Sequence, residues 1–404
     1  MADLRPSRPL RYLPGAGALG DLIAPPYDVI SAEEHARLLA RSPHNSVRLE
    51  LAEEPFTEAR AALADWQRDG VLGRPERPGI TAWTQTFQID GRTLERHTLL
   101  GTLKLEPYEA RVVRPHERTH AGPVEGRLRL YAALNAHISP VFGVYPDPEN
   151  RVWAAAGVLD APEAEFVSDD GAVVNRIRWI DDPARLEAVR AELADRWVLI
   201  ADGHHRYETA LIHRGRVRAA NGDQPGPWDD VLMGVSSLHD PGLVVLPTHR
   251  LLTRWPEGAA GRLGHTPVAD LDALLAALAA APAEVPTFGL VRPDGLALLS
   301  FAGPAGDTPA SRLDVAVLER EVLIPDLGDD QAALSHHGVL DYTKDAREAL
   351  RAVTAGTMAA AVILRPIPKE AVAAVSEAGE TMPQKSTYFF PKLLTGVAFH
   401  PLTT

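Results

Sequence analysis

Leu199-Ile-Ala-Asp-Gly-His-His-Arg-Tyr-Glu-Thr-Ala-Leu211 decides how the chain is read. A β-forming run from Trp197 to Ile200 stops at Asp202-Gly203, and helix-compatible sequence follows from Tyr207 to His213. A strand ends, glycine turns the chain, and a helix begins. The amides of Gly203 to Arg206 then lie near a helix N-terminus, where unpaired N–H groups and the helix dipole favour an anion. Arg206 can add a two-pronged contact to a phosphate or carboxylate. A lone histidine at such a turn reads as solvated surface. Asp-Gly-His-His-Arg packed together points instead to an anion site built from Gly203, His204, His205 and Arg206.

Working outward, a helix from Pro183 to Arg196 leads into this strand, and strands are expected near Val152 and from Val174 to Trp179. Ser139 to Asp147 reads as a buried strand and turn, and Gly126 to Ala136 as a helix. Ile80 to Leu105 is a hairpin turning at Asp90-Gly91. Ser31 with Glu34 forms a capping box for a helix from Ala32 to Arg41. Downstream, Val231 to Ser236 and Val244 to Pro247 read as a hairpin around Asp240-Pro241-Gly242, delivering Thr248-His249-Arg250. An alanine-rich helix covers Ala269 to Ala281, His336-His337 falls in a loop, and a strand from Ala359 to Leu364 precedes the block Met382 to Lys392. Hairpins mixed with helices make the class α+β rather than a doubly wound sheet.

The 404 residues are enough for two domains. The expected division is 1–215, an N-terminal catalytic part, and 216–404, an α+β domain contributing to the same cleft. A net charge of −13 argues against a broad nucleic-acid surface. The absence of cysteine excludes thiolate catalysis and Cys-ligated zinc. No apolar run is long enough to span a bilayer and Met1-Ala-Asp-Leu-Arg-Pro carries no apolar signal core, so the cytoplasm is the expected compartment. Lysine supplies only five of the 41 basic residues, which makes the position of each one informative.

Four polar clusters stand out: His116-Glu117, Asp202 to Arg206, Thr248-His249-Arg250, and Lys385-Ser386-Thr387 with Lys392. Cationic groups in three of them, within an acidic chain, suggest positive charge gathered at a small anionic ligand. His249, Arg250, Lys385 and Lys392 are thus candidate phosphate ligands, and Glu117 a candidate general base. His116-Glu117-Arg118-Thr119-His120 also spells the His-Glu-x-x-His pattern of zinc proteases. Pro115 before it and Gly122-Pro123 after it leave too little helix to put both histidines on one face.

Pro115-His116-Glu117 followed by Asp202-Gly203-His204-His205-Arg206 resembles, in the same order, the signature blocks of free serine kinases of the ParB/sulfiredoxin-like superfamily. That resemblance implies a mixed α/β core with insertions and a phosphoryl-transfer enzyme acting on free L-serine or O-phosphoserine. It implies Glu117 as catalytic base, Asp202 beside a Mg²⁺ ion, and Gly203, His204, His205 and Arg206 as the phosphate cradle. His116 and Thr119 then fall at the substrate, and His204 is a candidate phosphohistidine nucleophile. The phosphoryl donor is left open among ATP, ADP and pyrophosphate. A phosphoserine phosphatase using the same cradle, and a non-catalytic ParB-like nucleotide switch, are the alternative readings. The segments PPYDVIS, RPHERT, ADGHHRYETAL, LPTHR and QKSTYFFPK look, nearly end to end, like the family called domain of unknown function 1015.

Overall fold

The turn at Gly203 forms as its sequence requires. In the computed structural model, strand Val198–Asp202 ends in a register shift, Gly203 takes φ +88°, and helix His204–Ala220 begins at once. The helix therefore starts three residues earlier than Tyr207. The structure describes residues 1–117, 121–157, 161–168, 171–256, 263–303 and 305–403.

The chain forms two compact units, mixed α/β with several sheets. The first comprises Met1–Pro115, Thr119–Leu243 and Pro391–Thr404, and the second His116–Arg118 with Val244–Phe390. A division at 215/216 would cut helix His204–Ala220 and remove strand Asp230–Ser237 from the sheet it completes.

The large sheet of the first unit runs in the order Val113–Arg114, Val198–Asp202, Val141–Tyr145, Asp230–Ser237, Arg92–Lys104, Ile80–Ile89, Val173–Ile180 and Ala164–Val167, with Leu4–Arg5 paired to Arg92–Lys104. Most pairings are antiparallel; Val198–Asp202 runs parallel to Val113–Arg114, and Asp230–Ser237 parallel to Val141–Tyr145. The hairpin at Asp90-Gly91 has φ +49° and +71°, the positive pair that a two-residue turn needs. Successive side chains alternate faces. Ile80, Ala82, Leu99, Leu103, Val141 and Val235 join Tyr207 and Ala210 of the long helix in one apolar core. Thr81, Trp83, Gln85, Arg96, Thr98 and Asn175 are buried as well, and most of them are polar.

Two expectations fail here. Arg151–Ala156 is a helix, not a strand near Val152. Alanine favours helix, and the Asp147 carboxylate accepts the Val152 N–H at 2.9 Å. Val231 to Ser236 and Val244 to Pro247 do not pair with each other. The first lies in the large sheet, while Val244–Leu246 pairs with Tyr388–Phe390 in the second unit.

The last residues of the first unit return to it. Phe399 bridges Leu10, Thr395 bridges Ala24, and His400–Pro401 pairs with Ala136–His137. The His137 and His400 rings lie 5.5 Å apart. Burial pushes His400 down to about 4, and drives His137 well below its ordinary value. Burial favours the neutral form of each, so its contribution is present above the unfolded value near 6.5 and is lost as pH falls below it, for His400 down to about 4. His400 alone should cost the fold about 2 kcal/mol between pH 7 and pH 5. Asp230, held up to about 6 chiefly by burial, works in the opposite direction over the same range. His400→Gln should therefore melt with a flatter pH dependence than the parent; superimposable pH profiles would remove this assignment.

The second unit carries an antiparallel sheet in the order Gly264–Val268, Gly295–Ser300, Thr287–Arg292, Ala360–Ile363, His249–Leu252 and Leu340–Thr343. Helices Leu271–Ala280 and Ala346–Thr354 pack on it through Leu274, Leu278, Ala349 and Val353. His336 ends the short helix Gln331–His336 rather than sitting in a loop. No helix among the described residues is long and apolar enough to cross a membrane.

Candidate functional site

Asp202 closes its strand, and its two carboxylate oxygens meet two cations. Arg206 Nη2 donates to Oδ2 at 2.8 Å, one helical turn on. Lys392 Nζ donates to Oδ1 at 2.8 Å from the far end of the sequence. Arg206 is buried, and its Nη1 also donates to the Pro140 carbonyl. Burial works against the Arg206 charge, but Asp202 and Asp28 outweigh it and raise its pKa. A Cβ at Gly203 would strike the Arg206 guanidinium at 2.9 Å, so glycine is required there by space as well as by φ. His204 is buried and His205 half-buried in the first turn of the same helix.

Arg206 is thus locked to Asp202 and the backbone rather than presented as an open fork. Lys392, with its side chain 11% exposed, is the more accessible cation at this carboxylate. A Mg²⁺ ion held by Asp202 does not fit this arrangement. Both carboxylate oxygens already carry a cation, whose charges would repel a divalent ion. Among the described residues no cluster of His, Asp and Glu is suited to hold a metal.

The sequence reading missed a polar band on the sheet beside this carboxylate. Asn175, Gln85 and Arg96 are cross-strand neighbours. Gln85 Nε2 donates to Asn175 Oδ1 at 3.0 Å and to the Lys392 carbonyl at 3.2 Å, and Arg96 Nη2 donates to Gln85 Oε1. The band therefore fixes the backbone of Lys392. Arg96 packs over the Phe142 ring at 4.5 Å, and burial lowers its pKa to about 9. Gln85 and Arg96 at inward-facing strand positions were the available sign, because polar residues there need a partner. A second buried group joins Tyr27 of the PPYDVIS segment. Arg127 lies over its ring at 3.5 Å and pairs with Glu50 at 3.0 Å, and Ser139 donates to the same Glu50 oxygen.

In the second unit, Glu117 meets the Lys385 to Thr387 turn. Its Oε1 accepts the Ser386 N–H at 3.1 Å and the Thr387 hydroxyl at 3.4 Å, and its Oε2 accepts the Lys385 N–H at 3.4 Å. Lys385 takes φ +54°, in the left-handed region, within this turn. His116 is buried; its Nε2 lies 2.9 Å from Thr387 Oγ1, and its carbonyl accepts the Met382 N–H. The RPHERT and QKSTYFFPK segments are thereby joined. The Lys385 side chain is exposed. Thr119, the other expected substrate contact, lies outside the described residues, as do Arg118 and His120 of the His-Glu-x-x-His pattern.

His249 and Arg250 are buried in the same unit. Burial drives His249 to about 4, and its Nδ1 accepts the Leu364 N–H at 3.2 Å. It is neutral at pH 7 and lacks the positive charge expected of a phosphate ligand. Arg250 bonds Gln331 and the Thr248 carbonyl.

A family model described as Protein of unknown function (DUF1015) matches residues 4–316. No curated protein matches in sequence. Among solved structures, the chain is similar to a free serine kinase in complex with AMP, at 13% identity and TM-score 0.40, over 72% of this chain and 86% of that one. A conserved hypothetical protein from Pyrococcus furiosus is similar at 14% identity and TM-score 0.39, over 73% and 92%. SbnI with C-terminal truncation from Staphylococcus aureus is similar at 13% identity and TM-score 0.35, over 73% and 85%.

Proposed function

The chain belongs to the DUF1015 family, and from that premise we propose that it transfers a phosphoryl group to the hydroxyl of free L-serine, on a ParB/sulfiredoxin-like core. The observation that carries the reading is the convergence of Arg206 and Lys392 on Asp202 at a strand end, beside a helix N-terminus. A transferring phosphoryl group needs positioned positive charge and N–H donors more than it needs covalent help. Lys392 supplies the charge, with the N–H groups of Gly203, His204 and His205 as donors. Asp202 holds Lys392 in place, and the Asn175–Gln85 band holds its backbone.

Glu117 takes the proton from the attacking hydroxyl. Its carboxylate is oriented by the N–H groups of Lys385 and Ser386 and by Thr387, so its direction is set before substrate arrives. The new bond joins the serine oxygen to phosphorus, the bond to the donor oxygen breaks, and the proton rests on Glu117.

The test is direct. The protein is incubated with L-serine and ATP, ADP or pyrophosphate in parallel, and with O-phosphoserine alone, and phosphorus NMR follows the products. Phosphoserine formation with one donor is the expected result. Phosphate release from phosphoserine alone would assign a phosphatase. Nucleotide binding without turnover in any arm would assign a switch and overturn the transfer reading.

A further inference from the structure

The proposed reaction leaves the Thr248-His249-Arg250 block without a role. Arg250 is wholly buried, and the acceptors of its hydrogen bonds are neutral. Nε donates to Gln331 Oε1 at 2.8 Å, Nη1 donates to the Thr248 carbonyl, and the Tyr342 ring lies 5.2 Å away. Three polar atoms of this one group are buried without a hydrogen-bond partner among the described residues: Arg250 Nη2, Gln331 Nε2 and Thr248 Oγ1. Gln331 Nε2 shares its carbon with the oxygen that meets Arg250 Nε. Nη2 and Nε belong to the same guanidinium. Arg250 Nη2 and Gln331 Nε2 therefore stand together at a guanidinium whose hydrogen-bond acceptors carry no charge. A buried guanidinium without an anion is costly, and so is each orphaned donor. Burial lowers the Arg250 pKa to about 10, with Tyr342, Glu117 and Glu319 acting against it through their charges. Glu117 is thus close enough for its charge to be felt at Arg250.

We propose that Arg250, with Gln331 and Thr248, binds the carboxylate of the acceptor whose hydroxyl Glu117 deprotonates. This rests on the reading of Glu117 as base. A guanidinium edge matches a planar carboxylate, and a single negative charge balances a single guanidinium. A phosphate dianion would exceed the single positive charge of this guanidinium. The acceptor is a small hydroxy acid or hydroxy amino acid, which carries its hydroxyl within a few bonds of its carboxylate. A buried water with the same partners is the competing occupant.

Calorimetry on the whole protein, with L-serine and L-serinamide as probes and no donor present, tests this. Serine should bind at least about tenfold more tightly than its amide, the usual weight of a charge-assisted hydrogen bond. Gln331→Glu gives Arg250 an internal carboxylate, so this preference should fall to near unity without loss of melting temperature. Thr248→Val should reduce the preference less. Equal affinities in the parent protein, binding of neither probe, or a preference unchanged in Gln331→Glu would each overturn the site; the last would identify a bound water. Should Gln331→Glu fail to fold, the parent ratio and Thr248→Val decide. Phosphoserine formation without the preference removes this site and leaves the transfer reaction standing. The preference without phosphoserine formation does the reverse.

Discussion

Glu117→Gln is expected to lower turnover by on the order of a hundredfold or more while acceptor binding persists, the usual range for a lost general base. Glutamine keeps the size of the side chain, and its oxygen can still accept from Ser386 and Thr387. Its amide nitrogen would face the Lys385 N–H, which now donates to Oε2 at 3.4 Å, and that contact is long enough to be given up cheaply. The substitution therefore removes the basic charge and little else. Single-turnover rates, read with a melting curve and serine calorimetry, separate chemistry from folding. Unchanged turnover would take Glu117 out of the mechanism and leave it as the latch of the Lys385 to Thr387 turn.

Arg206→Ala should cost about 2–3 kcal/mol of stability, below the ~3–5 kcal/mol seen when a buried charge is left uncompensated. The Arg206 side chain is 3% exposed. Its loss removes one donor each from Asp202 Oδ2 and the Pro140 carbonyl and opens a hole beside Gly203. Asp202 keeps Lys392, so the loss should be partial. Arg206→Lys should recover only a fraction, because an ammonium cannot span both acceptors in one plane. Chemical denaturation measures the effect, and the double variant with Asp202→Asn measures the coupling. A loss under about 1 kcal/mol would mean that the pair is as weak as an exposed one.

Local chemistry was legible wherever a few neighbouring residues decide the outcome. Ser31 caps its helix by accepting the Glu34 N–H at 3.1 Å, and the helix spans Ala32–Arg41 as its sequence signals. Asp90-Gly91 and Asp202-Gly203 turn the chain where the glycines say. Long-range pairing was not legible. Asp230–Ser237 shows a strand's composition, but nothing in it names Val141–Tyr145 and Arg92–Lys104 as its neighbours. Of the expected cations, Lys392 lies at Asp202, whereas Arg250 donates to Gln331 of helix Gln331–His336 and His249 accepts from Leu364, both within the second unit. Residue type alone could not separate them, because burial decides whether a histidine carries charge. Arg96 and Gln85 escaped notice because an alternating strand pattern hides a polar residue among apolar ones until the facing strand is known.

The return of Pro391–Thr404 to the first unit sets an order on synthesis. Lys392 leaves the ribosome only after all of Val244–Phe390 has been made. Until then the Asp202 carboxylate lacks its ion pair with Lys392, Gln85 lacks one of its two acceptors, and Leu10 and Ala24 lack their bridging partners. Closing contacts this remote is slow, because loop closure must come before they give any return. The nascent first unit therefore lacks these contacts until Pro391–Thr404 has been made, and Lys392 reaches Asp202 only then.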